Sequence, residues 1–471
     1  MPLDAVVVLI TLGAYHVALL WIGAACRQRA QSEADYILGG KALGPWVTAL
    51  SACASSSSSW TLLGVSGFAY RNGLCALWLL PGCIGGFALN WFLLGERLRR
   101  YTADTSDLSV IDVLARPARG HASERAIRVV AVGLLVASLL LYVAAQFHAA
   151  GLAFGSTFAV DPRLIVLAGA AVVVAYTWSG GFWAVSVTDT LQGLLMVVAA
   201  VALPVAGLVA VGGFGALAEG IHRLGPAYRS LTHDEATTAA LGLVFGLLSI
   251  GLGYPGQPHV VNRFMAVRDA AALRRARVIS MTWAVLIYSG MVLAGLCARI
   301  VVPALANAES SFMELTRAAF PSVVTGLMLA TVLSAIMSTV DTQLLSAGTA
   351  ITHDLGLRAS GPAAALRRSR LVVALVSAGA AVAAVLGSDT LFNRVLFAWT
   401  TLGAAFGPLL LCTVFLGPVS PLATVATMVM GAGLSVATYY TPGASRWLMN
   451  GLPIVMAAVV AVAGVRRREV P

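Results

Sequence analysis

Apolar stretches of about 20 residues recur along the whole chain and alternate with short polar segments. A stretch of that length crosses the hydrocarbon core of a bilayer as a helix. The pattern predicts thirteen transmembrane helices, near residues 4–26, 46–69, 74–95, 126–157, 163–179, 184–211, 237–256, 278–303, 321–353, 371–388, 392–416, 420–440 and 448–465. We therefore expect an all-α polytopic membrane protein that forms a single transmembrane domain over residues 1–471.

The composition agrees with that pattern. Hydrophobic residues make up 59% of the chain and charged residues 11%, whereas a soluble domain has about 25% charged residues. The longest predicted loops, 96–125, 212–236 and 304–320, are too short to fold as domains of their own. We expect no separate soluble domain.

Basic residues are distributed unevenly between the two sets of loops. If the N-terminus lies outside, 22 of the 30 Lys and Arg residues fall on the cytoplasmic side. Lys and Arg are enriched in cytoplasmic loops, so the sequence predicts an external N-terminus and a cytoplasmic C-terminus. This placement also explains the net charge of +10 without any nucleic-acid partner.

Three of the predicted helices are interrupted or polar. The second contains five serines in a row, Ser55–Ser59, and the seventh ends in the glycine- and proline-rich "GLGYPGQP" (251–258). The ninth contains "SAIMSTVDTQLLS" (334–346). Interrupted helices are typical of the binding sites of secondary transporters.

An unwound turn inside a bilayer needs polar partners, because an unsatisfied backbone group there costs several kcal/mol. Free carbonyl oxygens can bind a small cation such as Na⁺, and the hydroxyls of Ser338 and Thr339 could complete its shell. Small residues also allow helices to pack closely. Five consecutive serines argue against packing alone, since packing needs small residues only at helical spacing.

Two carboxylates lie within predicted spans, Asp189 about two turns into the sixth and Asp341 deeper in the ninth. Charged groups at such depth are rare and usually functional. Either carboxylate could instead bond neighbouring hydroxyls and stiffen a helix contact. His148, in the middle of the fourth span, is either a hydrogen-bonded interior group or a proton relay.

Several motifs together resemble those of the sodium:solute symporter family, and most closely its bacterial sodium/proline branch. They include "YTWSGGFWAVSVTDTLQG" (176–193), "GLGYPGQPHVVNRFMAV" (251–267), "SAIMSTVDTQLLSAGTAITHDL" (334–355) and "AWTTLGAAFGPLLL" (398–411). The resemblance runs in order over nearly the whole chain. It implies Na⁺-driven uptake of a small organic solute, such as an amino acid or a small carboxylate, by alternating access.

The resemblance also implies a LeuT-like fold of five plus five helices in an inverted repeat. One extra helix (4–26) precedes the core and two extra helices follow it. The core and the first of these two helices cover approximately 46–256 and 278–440, and the last helix is 448–465. The family's common Na⁺ site falls on Ala54, Ser57, Ala335, Ser338 and Thr339. Na⁺ is thus the expected coupling ion.

Other functional positions follow from the same resemblance. Asp189 matches an aspartate linked to a second cation site or to coupling, and Asp341 is a further candidate for that role. The solute pocket of the proline branch falls on Ser58, Ser59, Trp60, Tyr142, Tyr254 and Pro258.

Two positions depart from the proline branch. Ser56 stands where that branch has an aspartate, and Ile250 where it has a tryptophan. The first leaves proton coupling through Asp189, Asp341 or His148 as an alternative, and the second leaves the solute open. A solute sensor that acts with a separate partner is another alternative. We expect no enzyme, since the sequence holds neither HExxH nor GxSxG. The expected location is the plasma membrane, the inner membrane if the source is bacterial.

Overall fold

The chain folds as a bundle of α-helices in a computed structural model. The structure describes residues 3–26, 37–158, 161, 163–164, 166–167, 182–356, 362–386 and 390–466. The first ten helices are α1 (Leu3–Cys26), α2 (Pro45–Ser56), α3 (Val65–Asn72), α4 (Leu79–Ala88), α5 (Gly95–Thr102), α6 (Val110–Ala115), α7 (Ala122–Phe158), α8 (Phe182–Val211), α9 (Phe214–Arg223) and α10 (Pro226–Arg229).

The second half of the chain repeats this mixture of long and short helices. It contains α11 (Thr237–Ser249), α12 (Pro258–Ala266), α13 (Ala270–Val301), α14 (Ser311–Ala319), α15 (Ser322–Thr349), α16 (Pro362–Leu386), α17 (Leu391–Phe415), α18 (Pro421–Tyr439), α19 (Arg446–Asn450) and α20 (Leu452–Ala463). Short 3₁₀ or π turns join several of them, as at Trp60–Gly64 and Ile250–Gly256.

Within the described residues, eight helical segments are long and apolar enough to cross a membrane, and three shorter apolar helices accompany them. The all-helical, multi-pass prediction is therefore confirmed. The predicted span at 163–179 lies largely outside the described residues, so the count of thirteen stays a prediction.

The first predicted helix break is present, but it is shorter than the serine run. Ser55 and Ser56 still belong to α2, and the helix ends at Ser57, whose backbone dihedrals are φ −118° and ψ 74°. The chain turns at Ser57 and Ser58 and becomes helical again from Ser59. The serine oxygens can satisfy the released backbone groups locally, as when the Ser58 hydroxyl accepts the Trp60 N–H at 3.2 Å.

The second break lies between α11 and α12. The segment Ile250–Gly256 forms a 3₁₀ turn, and Pro258 begins α12 as its first residue, where a missing N–H costs nothing. The chain between the predicted spans 237–256 and 278–303 is also mostly helical, and α12 packs within the bundle with its Arg263 fully buried. A proline at a helix start marks a new helix as readily as the end of an old one.

The interior of the bundle contains α15 and α17, most of whose residues are buried, and α13, half of whose residues are buried. Helix α2 packs against α8, α13 and α15, while the Ile250–Gly256 turn packs against α4 and α17. Glycines permit the second contact: a Cβ on Gly256 would meet the Gly403 Cα at 2.6 Å. The two breaks are thus held against different faces of the core.

The two ends of the bundle carry different short helices. Helices α9, α10, α14 and α19 lie at one end, here called the α14 end, and α6 lies at the opposite end, here called the α6 end. At the α14 end, the Glu309 carboxylate accepts the backbone N–H groups of Leu391 and Phe392 and so caps the start of α17.

Candidate solute and cation site

The five residues of the predicted cation site come from the end of α2 and the middle of α15, and all five are fully buried. The Ser338 hydroxyl donates to the Ala54 carbonyl oxygen at 3.1 Å and lies 3.5 Å from the Ala335 carbonyl oxygen. Among the described residues, the hydroxyl of the adjacent Thr339 has no hydrogen-bond partner. Oxygen atoms from two distant segments therefore meet here, and no described residue bonds one of them.

Ser57 comes directly after the last residue of α2, so its carbonyl group belongs to the non-helical turn. Its side chain is fully buried, and its backbone N–H still bonds the Cys53 carbonyl at 3.0 Å. Ser56, where the proline branch has an aspartate, directs its hydroxyl to the Cys53 carbonyl at 3.0 Å. Ser56 consequently acts within its own helix and brings no charge to the site.

Helix α7 contacts the break directly. The hydroxyls of Tyr142 and Ser58 are 3.3 Å apart. The Gln146 side-chain oxygen, one turn further along α7, accepts both the N–H and the hydroxyl of Ser59, at 3.1 and 2.7 Å. Tyr142, Ser58 and Ser59 therefore form one buried polar cluster around the unwound turn.

Pro258 is joined to this cluster through its neighbour in sequence. The His259 ring packs edge-on to the Tyr142 ring, with centroids 6.3 Å apart. His259 is fully buried, and neither of its ring nitrogens has a hydrogen-bond partner in the part of the chain that the structure describes. The start of α12 thus lies beside the first helix break.

Tyr254 occupies a separate aromatic environment. Its hydroxyl is 2.8 Å from that of Tyr288, and its ring lies 4.7 Å from Trp399 and 5.0 Å from Phe87. The Trp399 indole N–H donates to the Ile250 carbonyl at 3.2 Å. A tryptophan from α17 therefore packs beside Ile250, the position at which the sequence lacks the tryptophan of the proline branch.

Trp60 points toward the α14 end of the bundle. Its ring lies 5.3 Å from Phe392, which stacks on Phe68 at 4.9 Å. The six predicted pocket residues accordingly fall into a cluster around Tyr142, an aromatic group around Tyr254, and Trp60 on the path toward the α14 end.

Asp189 has a cationic partner that the sequence analysis did not identify. Arg263 donates to the Asp189 carboxylate at 3.0 Å, and Ser51 donates to the same oxygen at 2.7 Å. Arg263 also bonds the hydroxyls of Ser51 and Thr342, at 3.0 and 2.9 Å. This fully buried ion pair joins α2, α8, α12 and α15.

Asp341 is also fully buried, on the same helix as Ser338. Three residues of this region were not predicted from the sequence: Arg263, Gln146 and Trp399. Trp399 lies inside the motif "AWTTLGAAFGPLLL", which gave a signal, and Gln146 lies two residues before His148 in a largely apolar span, where its amide could have been noticed.

A multi-pass helical bundle with two broken helices and a buried contact made of oxygen atoms defines a membrane transporter. The profile of the sodium:solute symporter family matches residues 36–431. The chain belongs to that family. It therefore moves a small organic solute with Na⁺ as the coupling ion, and it is a transporter rather than an enzyme.

Similar sequences include two characterised bacterial transporters. The osmoregulated proline transporter OpuE of Bacillus subtilis (strain 168) is 32% identical over 474 residues, which cover 98% of this chain and 95% of the relative. The sodium/proline symporter of Escherichia coli (strain K12) is 36% identical over 441 residues, covering 90% and 86%.

Similar structures agree in fold. A Na⁺-coupled sialic acid symporter in a substrate-bound outward-open state superposes with a TM-score of 0.79 at 18% identity, over 97% of both chains. The nucleobase-cation-symport transporter MHP1, in a closed conformation, gives a TM-score of 0.59 at 12% identity, over 91% of this chain and 93% of the other.

Proposed function

We propose that this chain imports L-proline, or a small amino acid closely similar to it, together with Na⁺. The observation that carries the proposal is the contact between the Ser338 hydroxyl and the Ala54 carbonyl at the first helix break. Relatives with 32% and 36% identity transport proline, which supports the choice of solute. A small carboxylate is the other solute class that the pocket could accept.

The Na⁺ site consists of the carbonyl oxygens of Ala54, Ser57 and Ala335 and the hydroxyls of Ser338 and Thr339. A buried hydroxyl without a partner costs about 1–3 kcal/mol, and a bound cation would supply the partner that the Thr339 oxygen lacks. With Ser56 in place of an aspartate, these five ligands are neutral. Asp341, one turn after Ser338 on α15, supplies negative charge near the site.

The solute binds against the unwound turn in this proposal. Ser58, Ser59 and Tyr142 offer polar contacts. Pro258 borders the same side of the pocket, because its neighbour His259 packs against Tyr142. Trp60 and Tyr254 form the apolar walls, and the ring of Trp399 against Tyr254 restores an aromatic surface where Ile250 provides none.

Asp189 serves coupling rather than a second Na⁺ site. Its charge is already balanced by Arg263 at 3.0 Å, and a second cation would have to displace a guanidinium that three side-chain groups hold. Because the pair joins four helices, its geometry responds when these helices move relative to one another. We assign the two residues the role of linking ion binding to that movement.

Transport proceeds by alternating access between two states of the bundle. Na⁺ shifts this equilibrium only through unequal affinity for the two states. A membrane potential of 100 mV contributes about 2.3 kcal/mol for each Na⁺, and each tenfold concentration ratio adds about 1.4 kcal/mol. One ion can therefore support accumulation of the order of a hundredfold.

The membrane arrangement is part of the same proposal. We place thirteen spans in the plasma membrane, with a five-plus-five inverted repeat as the core. The N-terminus is then outside and the C-terminus in the cytoplasm, so that the α14 end faces outward and the α6 end faces the cytoplasm.

Purified protein in liposomes tests the proposal. With an inward Na⁺ gradient at fixed pH, we expect L-proline to accumulate, and we expect replacement of Na⁺ by choline to abolish accumulation. A panel of amino acids and small carboxylates, measured as competitors, identifies the solute class. Accumulation that follows a pH gradient without Na⁺ would establish proton coupling, and Na⁺-dependent binding without accumulation would establish a sensor.

A further inference from the structure

Arg446 is a cation without a counter-ion at the α14 end of the bundle. Among the described residues it forms neither an ion pair nor a hydrogen bond. Its guanidinium instead lies over two aromatic rings, 5.1 Å from the centroid of Phe68 and 5.3 Å from that of Phe392. Aromatic faces attract a cation but leave its five N–H donors unused.

The position of Arg446 is fixed by backbone packing. A Cβ on Gly246 of α11 would meet the Arg446 Cβ at 2.4 Å and the Trp447 nitrogen at 2.6 Å. The first half of the broken helix therefore needs a glycine where α19 begins. Arg446 is held between α3, α11 and α17, rather than on a loop that is free to swing.

Arg446 also lines a small cavity between α17, α18 and α19. The cavity presents polar side chains, from Asn393, Thr400, Ser435, Tyr439 and Asn450, but no carboxylate. An arginine in such a place has donors that no described residue accepts, aromatic rings on one side and polar side chains beside it.

The rings under Arg446 lead to the helix break. Phe392 packs against Trp60 at 5.3 Å, and Trp60 follows Ser58 by two residues. The guanidinium is thus separated from the proposed solute pocket by a single layer of aromatic side chains. The contacts through Phe392 and Trp60 therefore connect Arg446 to the unwound turn.

We propose that Arg446 forms an outer subsite that binds the carboxylate of the incoming solute before the solute reaches Trp60. The planar guanidinium matches a carboxylate with two parallel hydrogen bonds, and its charge disfavours solutes with a net positive charge. The subsite would therefore select zwitterions and anions over cations. The inference deepens the proposed function and depends on it, since it concerns the same solute and route.

Transport kinetics of Arg446→Gln in proteoliposomes test the subsite, with L-proline as the probe. We expect the KM for L-proline to rise about tenfold, the value for one lost charge-assisted hydrogen bond, and the Na⁺ half-saturation to stay within about twofold of wild type. L-Prolinamide, which lacks the carboxylate, competes weakly with wild type. We expect the preference for L-proline over L-prolinamide to shrink in the variant.

Two further variants separate this role from a structural one. Arg446→Lys keeps the positive charge but cannot form two parallel hydrogen bonds to a carboxylate. Its KM for L-proline should therefore lie between those of wild type and Arg446→Gln. Arg223→Gln, which removes an exposed arginine at the same end, should leave the KM unchanged. Stabilisation of purified Arg446→Gln by Na⁺, seen as a raised Tm, shows that the variant is folded.

The outcomes distinguish the two proposals. An unchanged KM and an unchanged preference for L-proline in Arg446→Gln would overturn the subsite while leaving the proposed function intact. A variant that no longer gains stability from Na⁺ would assign Arg446 a structural role and also overturn it. Failure of wild-type protein to take up L-proline with Na⁺ would overturn the proposed function, and the subsite with it.

Discussion

Arg263 and Asp189, 74 residues apart in sequence, form an ion pair at 3.0 Å with side chains that are 1% and 0% exposed. The pair lies in the interior of the bundle, which is mostly apolar. Removing one partner of a buried pair leaves an uncompensated charge and costs about 3–5 kcal/mol, whereas removing both costs far less. The pair therefore constrains which substitutions the core tolerates.

We expect Asp189→Asn and Arg263→Gln each to lower the Tm of the purified protein strongly. The double variant should recover most of the lost stability, because no unpaired charge remains. If the pair has the coupling role proposed here, the double variant should nevertheless fail to accumulate solute. Thermal denaturation and liposome uptake measure the two effects separately.

The exposed pair Arg223–Glu219, at 3.4 Å, provides the control for this cycle. Exposed pairs contribute about 0–1 kcal/mol, so its single variants should match wild type in Tm. Single variants at Asp189 and Arg263 that are as stable as wild type would contradict the structural role. Full accumulation by the double variant would rule out the coupling role.

The cation site predicts a change in Na⁺ dependence when its hydroxyls are removed. Ser338→Ala combined with Thr339→Ala should raise the Na⁺ concentration needed for half-maximal uptake by about tenfold or more, since the two lost ligands together contribute at least about 1.4 kcal/mol. Thr331→Ala is the matched control, because this buried threonine on α15 bonds the Leu327 carbonyl within its own helix. Equal Na⁺ dependence in both variants would reject the site.

A substitution at Tyr142, in contrast to the cation-site variant, should affect solute binding more than Na⁺ binding. Tyr142→Phe removes only the hydroxyl that lies 3.3 Å from Ser58, so the KM for solute should rise about three- to tenfold, the range for one hydrogen bond. The Na⁺ half-saturation should change little. Tyr254→Ala should likewise impair solute binding more than ion binding. A larger effect on Na⁺ than on solute in either variant would count against this pocket.

The close contact between the second break and α17 predicts a steric effect. In Gly256→Ala the new Cβ would lie 2.6 Å from the Gly403 Cα, and backbone cannot move aside as a side chain can. We expect a large loss of folded protein in size-exclusion chromatography. Gly433→Ala, whose new Cβ would meet no other described segment within 4 Å, should fold and transport as wild type.

The sequence predicted features that residue type determines locally. Serines at 55–59 and the run of glycine and proline at 251–258 disfavour a helix wherever they stand, so both breaks could be anticipated. The Na⁺ ligands and pocket residues came from the resemblance to a family rather than from such local rules.

Long-range partners could not be read in the same way. Arg263 lies between the predicted spans 237–256 and 278–303, so its position in the sequence did not indicate that it is buried. Its burial depends on the packing of α12 against α2 and α15 beside Asp189, and these contacts are distant in sequence. Similarly, Trp399 faces Tyr254 only because Gly253 and Gly403 let α17 approach the second break.

At the α6 end, Asp112 predicts a pH-dependent contribution to stability. Arg128 forms an ion pair with it at 2.9 Å, and the His353 ring nitrogen lies 2.9 Å from its other oxygen. Burial raises the pKa of the Asp112 carboxyl, but the bonds from His353 and the Leu108 N–H and the charge of Arg128 outweigh burial and hold the pKa well below its usual range.

A carboxyl whose pKa is lower in the folded state stabilises the fold at every pH above its unfolded pKa, which is about 3.9. Asp112→Asn should therefore lower the free energy of unfolding by about 1–3 kcal/mol at pH 7, seen as a lower Tm. The difference in free energy of unfolding between wild type and Asp112→Asn should become smaller below about pH 4, where the Asp112 carboxyl of the unfolded chain takes up a proton. Asp104→Asn, at an exposed position, should show no such difference at either pH. A difference that widens in acid would show that Asp112 is stabilised as the neutral acid instead.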